Sequence, residues 1–376
     1  MSIENRVKVI ATYLPQFHET KENSEWWGEG YTDWVGVKKA KPLYDGHIQP
    51  RVPLNSNYYN LSDEKVIRWQ SELAKKYGVY GFGIYHYWFN DSQHFLWKPV
   101  ELLLNNKDID INFFLIWDNT SWVRTWSAVK GSAWNPDIDG KNTAAHNSND
   151  GVLANLEYGT ESNWKKHFEY LLPLFQDPRY IRIDDKPVMG FMRPTNGYET
   201  LCKMKKYWDD LAKENGFNGV VFLSNANTKR KHFDYDFFYE PSHSTSFARK
   251  LKIILKEILG KKENSLFIES YDKRWSRILA NARRCQYAHT FFGALVDFDD
   301  TPRRGNHARI MRDATPDKFE KYMCELLKIS QKKKSEFVFL TAWNEWGEGA
   351  YLEPDETNGY AYLEALKRAI DTINGD

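Results

Sequence analysis

Eight short apolar runs, separated by helical patterns, recur along the whole chain and constrain its fold more than any other feature. Most of these runs are continuously apolar rather than alternating, which is typical of strands covered on both faces. The predicted strands are 7–15, 79–88, 111–118, 187–194, 219–226, 233–241, 289–298 and 336–345. The sequence therefore predicts an α/β fold built on parallel strands.

Amphipathic helices are predicted between these strands. One begins after Ser62, a candidate N-cap, and another begins at Thr315 and Pro316. The other helical patterns are 162–175, 198–215 and 358–373. Eight strands that alternate with helices favour a single (β/α)8 TIM barrel. An open doubly wound sheet is the alternative, but no GxGxxG or phosphate-loop sequence supports it.

Two long insertions, 119–160 and 241–285, are predicted to form loops and extra helices at the C-terminal face of the barrel. The first is polar, and the second contains the basic stretch RKLKIILKEILGKK, which reads as a solvent-facing helix. We find no internal repeat, low-complexity tract or linker. One catalytic domain over residues 1–376 is therefore expected.

The overall charge argues against several classes of partner. The chain has 52 Lys and Arg against 51 Asp and Glu, so bulk electrostatics predicts no nucleic-acid or membrane-surface partner. No apolar stretch approaches the roughly 20 residues of a membrane span, and the N-terminus has no signal-peptide pattern. The three cysteines are widely spaced and form no CxxC. We expect a cytoplasmic protein, and the sequence gives no indication of its oligomeric state.

Aromatic residues are abundant in polar surroundings. Trp, Tyr and Phe make up 16% of the chain, and many stand in polar segments such as SEWWGEGYTDW and WDNTSWVRTW. A sugar ring offers apolar C–H faces to an indole and hydroxyl groups to polar side chains. These segments predict an oligosaccharide or polysaccharide as substrate. The alternative is that the rings pack beneath long loops.

Polar and aromatic residues follow nearly every predicted strand, at the end where TIM-barrel enzymes carry their active groups. Because the carboxyl ends of parallel strands share one face, we expect these residues to line a single groove. The candidate binding residues at the first six strand ends are Tyr13, Gln16, His18, Tyr85, His86, Trp117, Asn119, Arg193, Asn225 and Glu240. The candidates at the eighth are Trp343, Asn344, Trp346 and Glu353.

The stretch TAWNEWGEGAYLEP, residues 341–354, holds the candidate catalytic pair Glu345 and Glu348. Strand alternation directs Trp343 and Glu345 toward the barrel axis, with Glu348 in the loop above. Two such carboxyls can lie roughly 5–9 Å apart, a range that covers both geometries of glycosidic cleavage. An acid beside indole faces would have a raised pKa, while a solvated neighbour stays ionised. The alternative is that either acid merely pairs with Arg193 or Arg303.

No metal or cofactor is predicted. Asp-x-Asp occurs at 108–110, 137–139, 234–236 and 297–299, with no preferred copy, and no His, Cys and Asp set has zinc-like spacing. A metal-dependent sugar-nucleotide transferase would use one Asp-x-Asp and stays open as an alternative. So does a catalytically silent glycan-binding protein, which would need no acid pair.

Three segments carry a family resemblance: ATYLPQFH, YGVYGFGIYHYWFND and FLTAWNEWGEGAYLEP. They resemble WbsX-type proteins of bacterial polysaccharide gene clusters, often labelled glycosyltransferases, whose fold is similar to glycoside hydrolase family 99. That family contains endo-α-1,2-mannosidases and mannanases. The resemblance implies that Glu345 deprotonates the sugar 2-hydroxyl and that Glu348 is the general acid/base, with retention through a 1,2-anhydro sugar. Glu353 corresponds to a later acid of the family, and Gly347 stands where family 99 has His.

Overall fold

The computed structural model describes residues 6–123, 152–226, 233–245 and 266–375. Eight parallel strands form its centre, and each coincides with one of the predicted strands. They are β1 (Lys8–Tyr13), β2 (Val79–Asn90), β3 (Asn112–Trp117), β4 (Lys186–Phe191), β5 (Val221–Asn225), β6 (Tyr235–Phe237), β7 (Thr290–Leu295) and β8 (Phe337–Thr341).

The strands close into a barrel. Ile10 of β1 lies opposite Gly81 of β2 on one side and opposite Phe339 of β8 on the other. The remaining strands pair with their neighbours in chain order, and every pair is parallel. The predicted (β/α)8 barrel is therefore confirmed, and the open sheet is not formed.

Helices fill the intervals as predicted. The α-helices in the described ranges are Lys21–Trp27, Trp34–Lys39, Glu64–Lys76, Lys98–Asn105, Glu161–Phe175, Tyr198–Glu214, Tyr271–Arg284, Thr301–Arg304, Pro316–Lys332 and Ala361–Asn374. Thr315 caps its helix through the backbone N–H of Lys318, as expected. The N-cap of the first predicted helix is Asp63 rather than Ser62. Ser62 belongs to the preceding turn, where its backbone N–H donates to Asn60.

The two insertions are only partly described. Strand Trp122–Val123 pairs antiparallel with Val152–Ala154 in the first, and strand Phe267–Ser270 of the second pairs parallel with Arg309–Arg312. The basic stretch RKLKIILKEILGKK and the Asp-x-Asp at 137–139 lie outside the described residues. Within the described ranges, no helix has the length and hydropathy needed to cross a bilayer.

Phenylalanine rings fill the lower interior of the barrel. Phe114 and Phe237 both contact Phe339 across the axis, with ring centroids 5.8 and 4.9 Å away. Gly83 makes room for them, because an added Cβ would lie 2.8 Å from Ile116 Cδ1 and 3.2 Å from Phe114 Cε1. The barrel is thus a packed core, and a ligand can enter only above it, at the C-terminal ends of the strands.

Short elements complete the fold around these ends. The remaining strands are Gln93–Phe95, Arg182–Ile183, Asn344–Glu345 and Ala350–Tyr351, and the 3-10 turns are Leu54–Ser56, Gly305–His307 and Trp346–Glu348. Two of the strands, Asn344–Glu345 and Ala350–Tyr351, form a small hairpin above β8. That hairpin fixes the segment that carries both candidate catalytic acids.

Candidate active site

A cavity of about 330 Å³ opens at the C-terminal ends of the barrel strands. We call it the inner cavity. Its aromatic lining is Trp27, Tyr31, Tyr85, Tyr87, Trp122, Tyr239 and Phe298. Its charged lining is Asp33, Asp118, Arg193, Arg303, Arg304, Arg309, Glu345 and Glu348. The inner cavity thus combines aromatic rings with titratable groups, the lining of a ligand-binding site.

Glu345 and Glu348 share one arginine in this cavity. Arg303 Nη2 donates to Glu345 Oε2 at 3.1 Å, and its Nη1 donates to Glu348 Oε1 at 2.9 Å. Arg303 Nη2 also donates to Asp33 Oδ2 at 3.0 Å. The ion pairs that the sequence offered as an alternative role are therefore formed, but inside the cavity. Three carboxyls and one guanidinium make a single polar cluster.

Burial separates the two acids. Glu345 is only 4% exposed, whereas 21% of the Glu348 side chain is exposed. Burial raises the pKa of Glu345 to about 8; Arg303 opposes this rise, and the charges of Glu348 and Asp33 add to it. The raised pKa agrees with the expectation for an acid in aromatic surroundings. A carboxyl that titrates near neutral pH is suited to proton transfer.

The Arg303 guanidinium packs against Gly347, which lies between the two acids in the chain. A Cβ on Gly347 would lie 2.5 Å from Arg303 Nε and 3.0 Å from its Cζ. The guanidinium therefore lies directly over this glycine, and a side chain there would displace it. Gly347 is needed for close approach rather than for an unusual backbone angle.

Tyrosine hydroxyls lie near the acids. Tyr85 donates from its hydroxyl to that of Tyr239, with 2.8 Å between the oxygens. Burial raises the pKa of both groups, and the charge of Glu345 adds to the rise. Both phenols are therefore neutral at ordinary pH and can hydrogen-bond a ligand oxygen.

Strand pleating divides the predicted residues between two faces. Tyr85 lines the inner cavity, whereas its neighbour His86 faces the helices, where its Nε2 lies 2.8 Å from His167 Nε2. Trp117 likewise packs against His167, with ring centroids 4.7 Å apart. The next residue, Asp118, lines the cavity instead. Adjacent strand residues point to opposite faces, so a run of candidates cannot all line one groove.

The same rule applies at β6. Tyr239 lines the inner cavity, whereas Glu240 is turned away and accepts a hydrogen bond from the Ser244 backbone N–H at 3.1 Å. Burial raises the pKa of Glu240 to about 7. Its contacts are with the loop after β6 rather than with the acid pair.

Two asparagines join the loops above the barrel. Asn344 accepts from the Leu14 backbone N–H at 2.7 Å and donates to the Leu14 carbonyl at 3.0 Å, which clips the end of β8 to that of β1. Asn119 accepts from the Arg193 backbone N–H and donates to the Arg193 carbonyl, both at 2.8 Å. These predicted residues shape the site rather than line it.

Arg193 itself lines the inner cavity. Burial raises the pKa of Asp118 to about 6, and the charge of Arg193 opposes this rise.

Glu353 lies behind the acid pair, in a hydrogen-bond network. Its carboxyl accepts from Gln70 Nε2 at 2.6 Å, from the Tyr59 hydroxyl at 2.8 Å and from Trp346 Nε1 at 2.6 Å. Burial raises its pKa to about 7, and these hydrogen bonds oppose the rise. Trp346, stacked on Tyr351 at 3.7 Å, is thereby fixed between the two acids in the chain.

The prediction that Trp343 faces the barrel axis is wrong. Its ring packs at 5.4 Å against Phe82, which also contacts Tyr13 at 5.0 Å. The Tyr13 hydroxyl donates to Gln70 Oε1, on a helix outside the barrel, at 2.7 Å. Phe82 and Tyr85 are three residues apart on β2 and so face opposite ways. Trp343 and Tyr13 therefore belong to the layer between barrel and helix.

The remaining candidates take separate places. Gln16 lines the inner cavity and donates to the Tyr87 hydroxyl at 3.0 Å. His18 is buried, and burial lowers its pKa to about 4. Asn225 donates to the Met192 carbonyl at 3.4 Å. Within the described part of the chain, no three His, Cys, Asp or Glu residues are grouped to hold a metal ion.

Several cavity residues escaped the sequence analysis. Asp118 and Tyr239 each stand next to a predicted residue, so the missing information was the phase of the pleat. Asp33 comes from GYTDW, a segment noted only for its aromatic residues. No local signal connects Asp33 with Arg303, because 270 positions separate them in the chain.

Solved structures share this architecture. The endo-α-mannosidase GH99 of Bacteroides thetaiotaomicron aligns with a TM-score of 0.56 over 98% of this chain and 97% of that one, at 13% identity. A structure described as a glycoside hydrolase-like protein aligns with a TM-score of 0.55 over 97% and 94% of the two chains, at 12% identity. At these identities the likeness defines the class of fold, a (β/α)8 barrel of this type.

The family follows from the sequence itself. Residues 9–366 match the family described as "Glycosyltransferase WbsX", and the chain belongs to that family. The protein named "Uncharacterized protein WxcX" of Xanthomonas campestris pv. campestris, strain B100, is 28% identical over 372 residues. That alignment covers 96% of this chain and 49% of the relative, and WxcX of strain ATCC 33913 matches to the same extent. The chain thus spans about half the length of these curated relatives.

Proposed function

We propose that this protein is a glycoside hydrolase that cleaves an oligosaccharide or polysaccharide with retention of configuration, using Glu345 as base and Glu348 as acid. One observation carries the proposal: both carboxyls bind the same guanidinium in the inner cavity, one buried and one partly exposed. Paired carboxyls in different environments are the means by which glycosidases divide proton transfer.

In the first step, Glu345 takes the proton of the sugar 2-hydroxyl as O2 attacks C1. The bond from C1 to the leaving oxygen breaks, and Glu348 gives its proton to that oxygen. The product is a 1,2-anhydro sugar, an epoxide in which O2 bridges C1 and C2. No bond forms between sugar and enzyme.

In the second step, Glu348 takes a proton from water as the water oxygen attacks C1. The bond from C1 to O2 breaks, and Glu345 returns its proton to O2. Glu345 is then ionised and Glu348 protonated, as at the start, and two inversions at C1 leave the configuration retained.

The raised pKa of Glu345 suits a base for a weakly acidic hydroxyl, because a carboxylate that titrates near the working pH accepts a proton more readily than an ordinary one. The environment alone would also let Glu345 act as the acid. The two roles give opposite results: kcat/KM rises with pH through the pKa of Glu345 if it is the base, and falls if it is the acid.

A second candidate function is glycosyl transfer in the biosynthesis of a surface polysaccharide, favoured by the description of the family. A transferase would pass the sugar to an acceptor hydroxyl rather than to water. The difference lies in the second step, in which the acceptor takes the place of the water molecule.

One experiment separates the two. The protein is incubated with a panel of defined oligosaccharides, with and without sugar nucleotides, and products are identified by mass and by the anomeric signal in NMR. Hydrolysis without a sugar nucleotide, with the retained anomer formed first, is expected. Products that form only with a sugar nucleotide would refute the hydrolase and support the transferase.

A further inference from the structure

A second cavity lies on the other side of the Trp346 segment. Its volume is about 510 Å³, and none of its lining residues lines the inner cavity. It is bounded by the turn 53–59, by Trp69 of helix Glu64–Lys76 and by the segment 353–360 that follows the acid pair. We call it the outer cavity. The chemistry of the acid pair does not use it.

Hydrogen bonds between the two segments that form its rim hold the outer cavity in shape. The backbone N–H of Leu54 donates to the Pro354 carbonyl at 3.0 Å, and that of Glu356 donates to the Val52 carbonyl at 2.9 Å. The Asn55 backbone N–H also donates to Glu356 Oε1 at 2.6 Å. These cross-links preform the cavity, so a ligand need not order it.

Two rim residues adopt a costly backbone conformation. Asn55 and Ser56 have φ angles of 57° and 53°, in the left-handed region that side chains other than glycine disfavour. Strain of this kind collects at ligand sites, where surrounding contacts maintain it.

The lining offers rings and uncharged polar groups. Trp69 and Tyr58 are half-buried, Tyr360 is 38% exposed, and all three line the cavity. Tyr360 stacks on Tyr77 with ring centroids 6.2 Å apart, so its opposite face is the one offered to a ligand. Asn55, Ser56 and Asn57 are exposed on the rim. The lining contains no Lys or Arg, and its one acid, Glu353, already accepts from three donors.

We propose that the outer cavity binds a neutral sugar residue, at a site separate from the acid pair. Aromatic faces take the apolar side of a sugar ring, and the amides and the hydroxyl take its hydroxyl groups. The volume lies within the usual range of roughly 300–1,000 Å³ for small-ligand sites. No lining residue can form an ion pair with a uronate or a phosphate, and the nearby Lys38 Nζ is held over the Tyr58 ring, 4.0 Å from its centroid. The choice of a sugar rests on the proposed function.

The segment 345–348 contributes side chains to both cavities. Trp346 lines the outer cavity, while Glu345 and Glu348, on either side of it in the chain, line the inner one. A polysaccharide could therefore be held by one residue at the outer site while another is cleaved. The outer site then raises affinity for long chains and leaves the chemical step unchanged.

Equilibrium binding tests this site without any turnover. The probes are the neutral disaccharides cellobiose, maltose and mannobiose, with glucuronic acid as an anionic comparison, each measured by saturation-transfer NMR and titration. At least one disaccharide should bind, and glucuronic acid more weakly. Because no cleavage is needed, the result stands whether or not the chain is a hydrolase.

Two variants locate the binding. Tyr360→Ala should raise the Kd at least tenfold, and Asn57→Ala several-fold. Asn57→Ala changes only an exposed amide, so it remains informative if the Tyr360 variant unfolds. Tyr287→Ala is the matched control, since this tyrosine is 61% exposed and lines neither cavity. Its Kd should match that of the unaltered chain.

Three results would overturn the outer site: no disaccharide binds, glucuronic acid binds best, or Tyr85→Ala in the inner cavity abolishes binding while both outer variants retain it. If hydrolysis is found, Tyr360→Ala should also raise KM on a long polysaccharide and leave kcat and the KM of a short substrate unchanged.

Discussion

Replacing Arg303 by Met should move the acidic limb of the pH–rate profile toward higher pH. The guanidinium lies 3.1 Å from Glu345 Oε2 and opposes the rise that burial causes in the pKa of Glu345. Met keeps much of the side-chain length and removes the charge. The ionised form of Glu345, which the proposed base must adopt, then becomes harder to reach.

The size of the shift follows from the contact distance. An opposite charge within about 4–6 Å changes a carboxyl pKa by roughly 1–3 units, and one unit corresponds to about 1.4 kcal/mol. Below the pKa, each unit lowers the fraction of ionised base tenfold. We therefore expect kcat/KM at pH 7 to fall roughly 10- to 1,000-fold, with recovery as the pH rises past the new pKa.

Gly347→Ala provides an independent perturbation of the same contact. The new Cβ would lie 2.5 Å from Arg303 Nε, so the guanidinium must move, while all charges remain. The limb should shift in the same direction, but by less. In the Arg303→Met background the alanine should have almost no further effect, because the group that it displaces is gone.

The assay is kcat/KM from pH 5 to 11, on a substrate found with the oligosaccharide panel. Carbon-13 NMR of the Glu345 carboxyl gives the pKa without turnover, and circular dichroism confirms that each variant is folded. An unmoved limb in Arg303→Met would refute the reasoning. An alanine effect equally large in both backgrounds would show that Gly347 acts through the backbone instead.

Three further predictions concern the acids, the metal and the loops. Glu348→Gln should lose most activity on a natural oligosaccharide yet keep much of the first step on an activated aryl glycoside, whereas Glu345→Gln should lose roughly 10²–10⁴-fold on both, measured by single-turnover kinetics. A 2-deoxy substrate should not be cleaved, and its efficient cleavage would exclude the 1,2-anhydro route. Exhaustive chelation should leave turnover intact, and loss that Mg²⁺ or Mn²⁺ restores would favour the transferase. Asn344→Ala leaves the buried N–H and carbonyl of Leu14 without partners and should lower the free energy of unfolding by about 2–4 kcal/mol in urea titrations; an unchanged midpoint would mean that solvent replaces both hydrogen bonds.

The sequence by itself determined the barrel and its acid pair. Continuous apolar runs reveal strands buried on both faces, and helical spacing reveals what covers them; both are local patterns, so all eight strands were found. Glu345 and Glu348 stand three residues apart after the last strand. Their placement at the same end of the barrel therefore also follows from a short segment. The local pattern of residues along the chain was sufficient to predict the eight strands and the position of the two acids.

Only the tertiary structure decided which of two adjacent residues on a strand lines the inner cavity. Tyr85 faces the ligand space and His86 the helices, and Asp118 is chosen over Trp117, because pleating alternates and its phase is fixed by pairing with distant strands. The prediction for Trp343 failed because the alternation of side chains along β8 did not continue into the segment beyond that strand.

The electrostatics of the site also required the closed barrel. Arg303 meets Glu345 across 42 positions and Asp33 across 270, and the pKa of Glu345 depends on both. Burial and charge are properties of the whole environment, whereas a sequence motif specifies only the groups placed in it. The outer cavity arises likewise, where the turn 53–59 meets the segment 353–360 through contacts that no local pattern encodes.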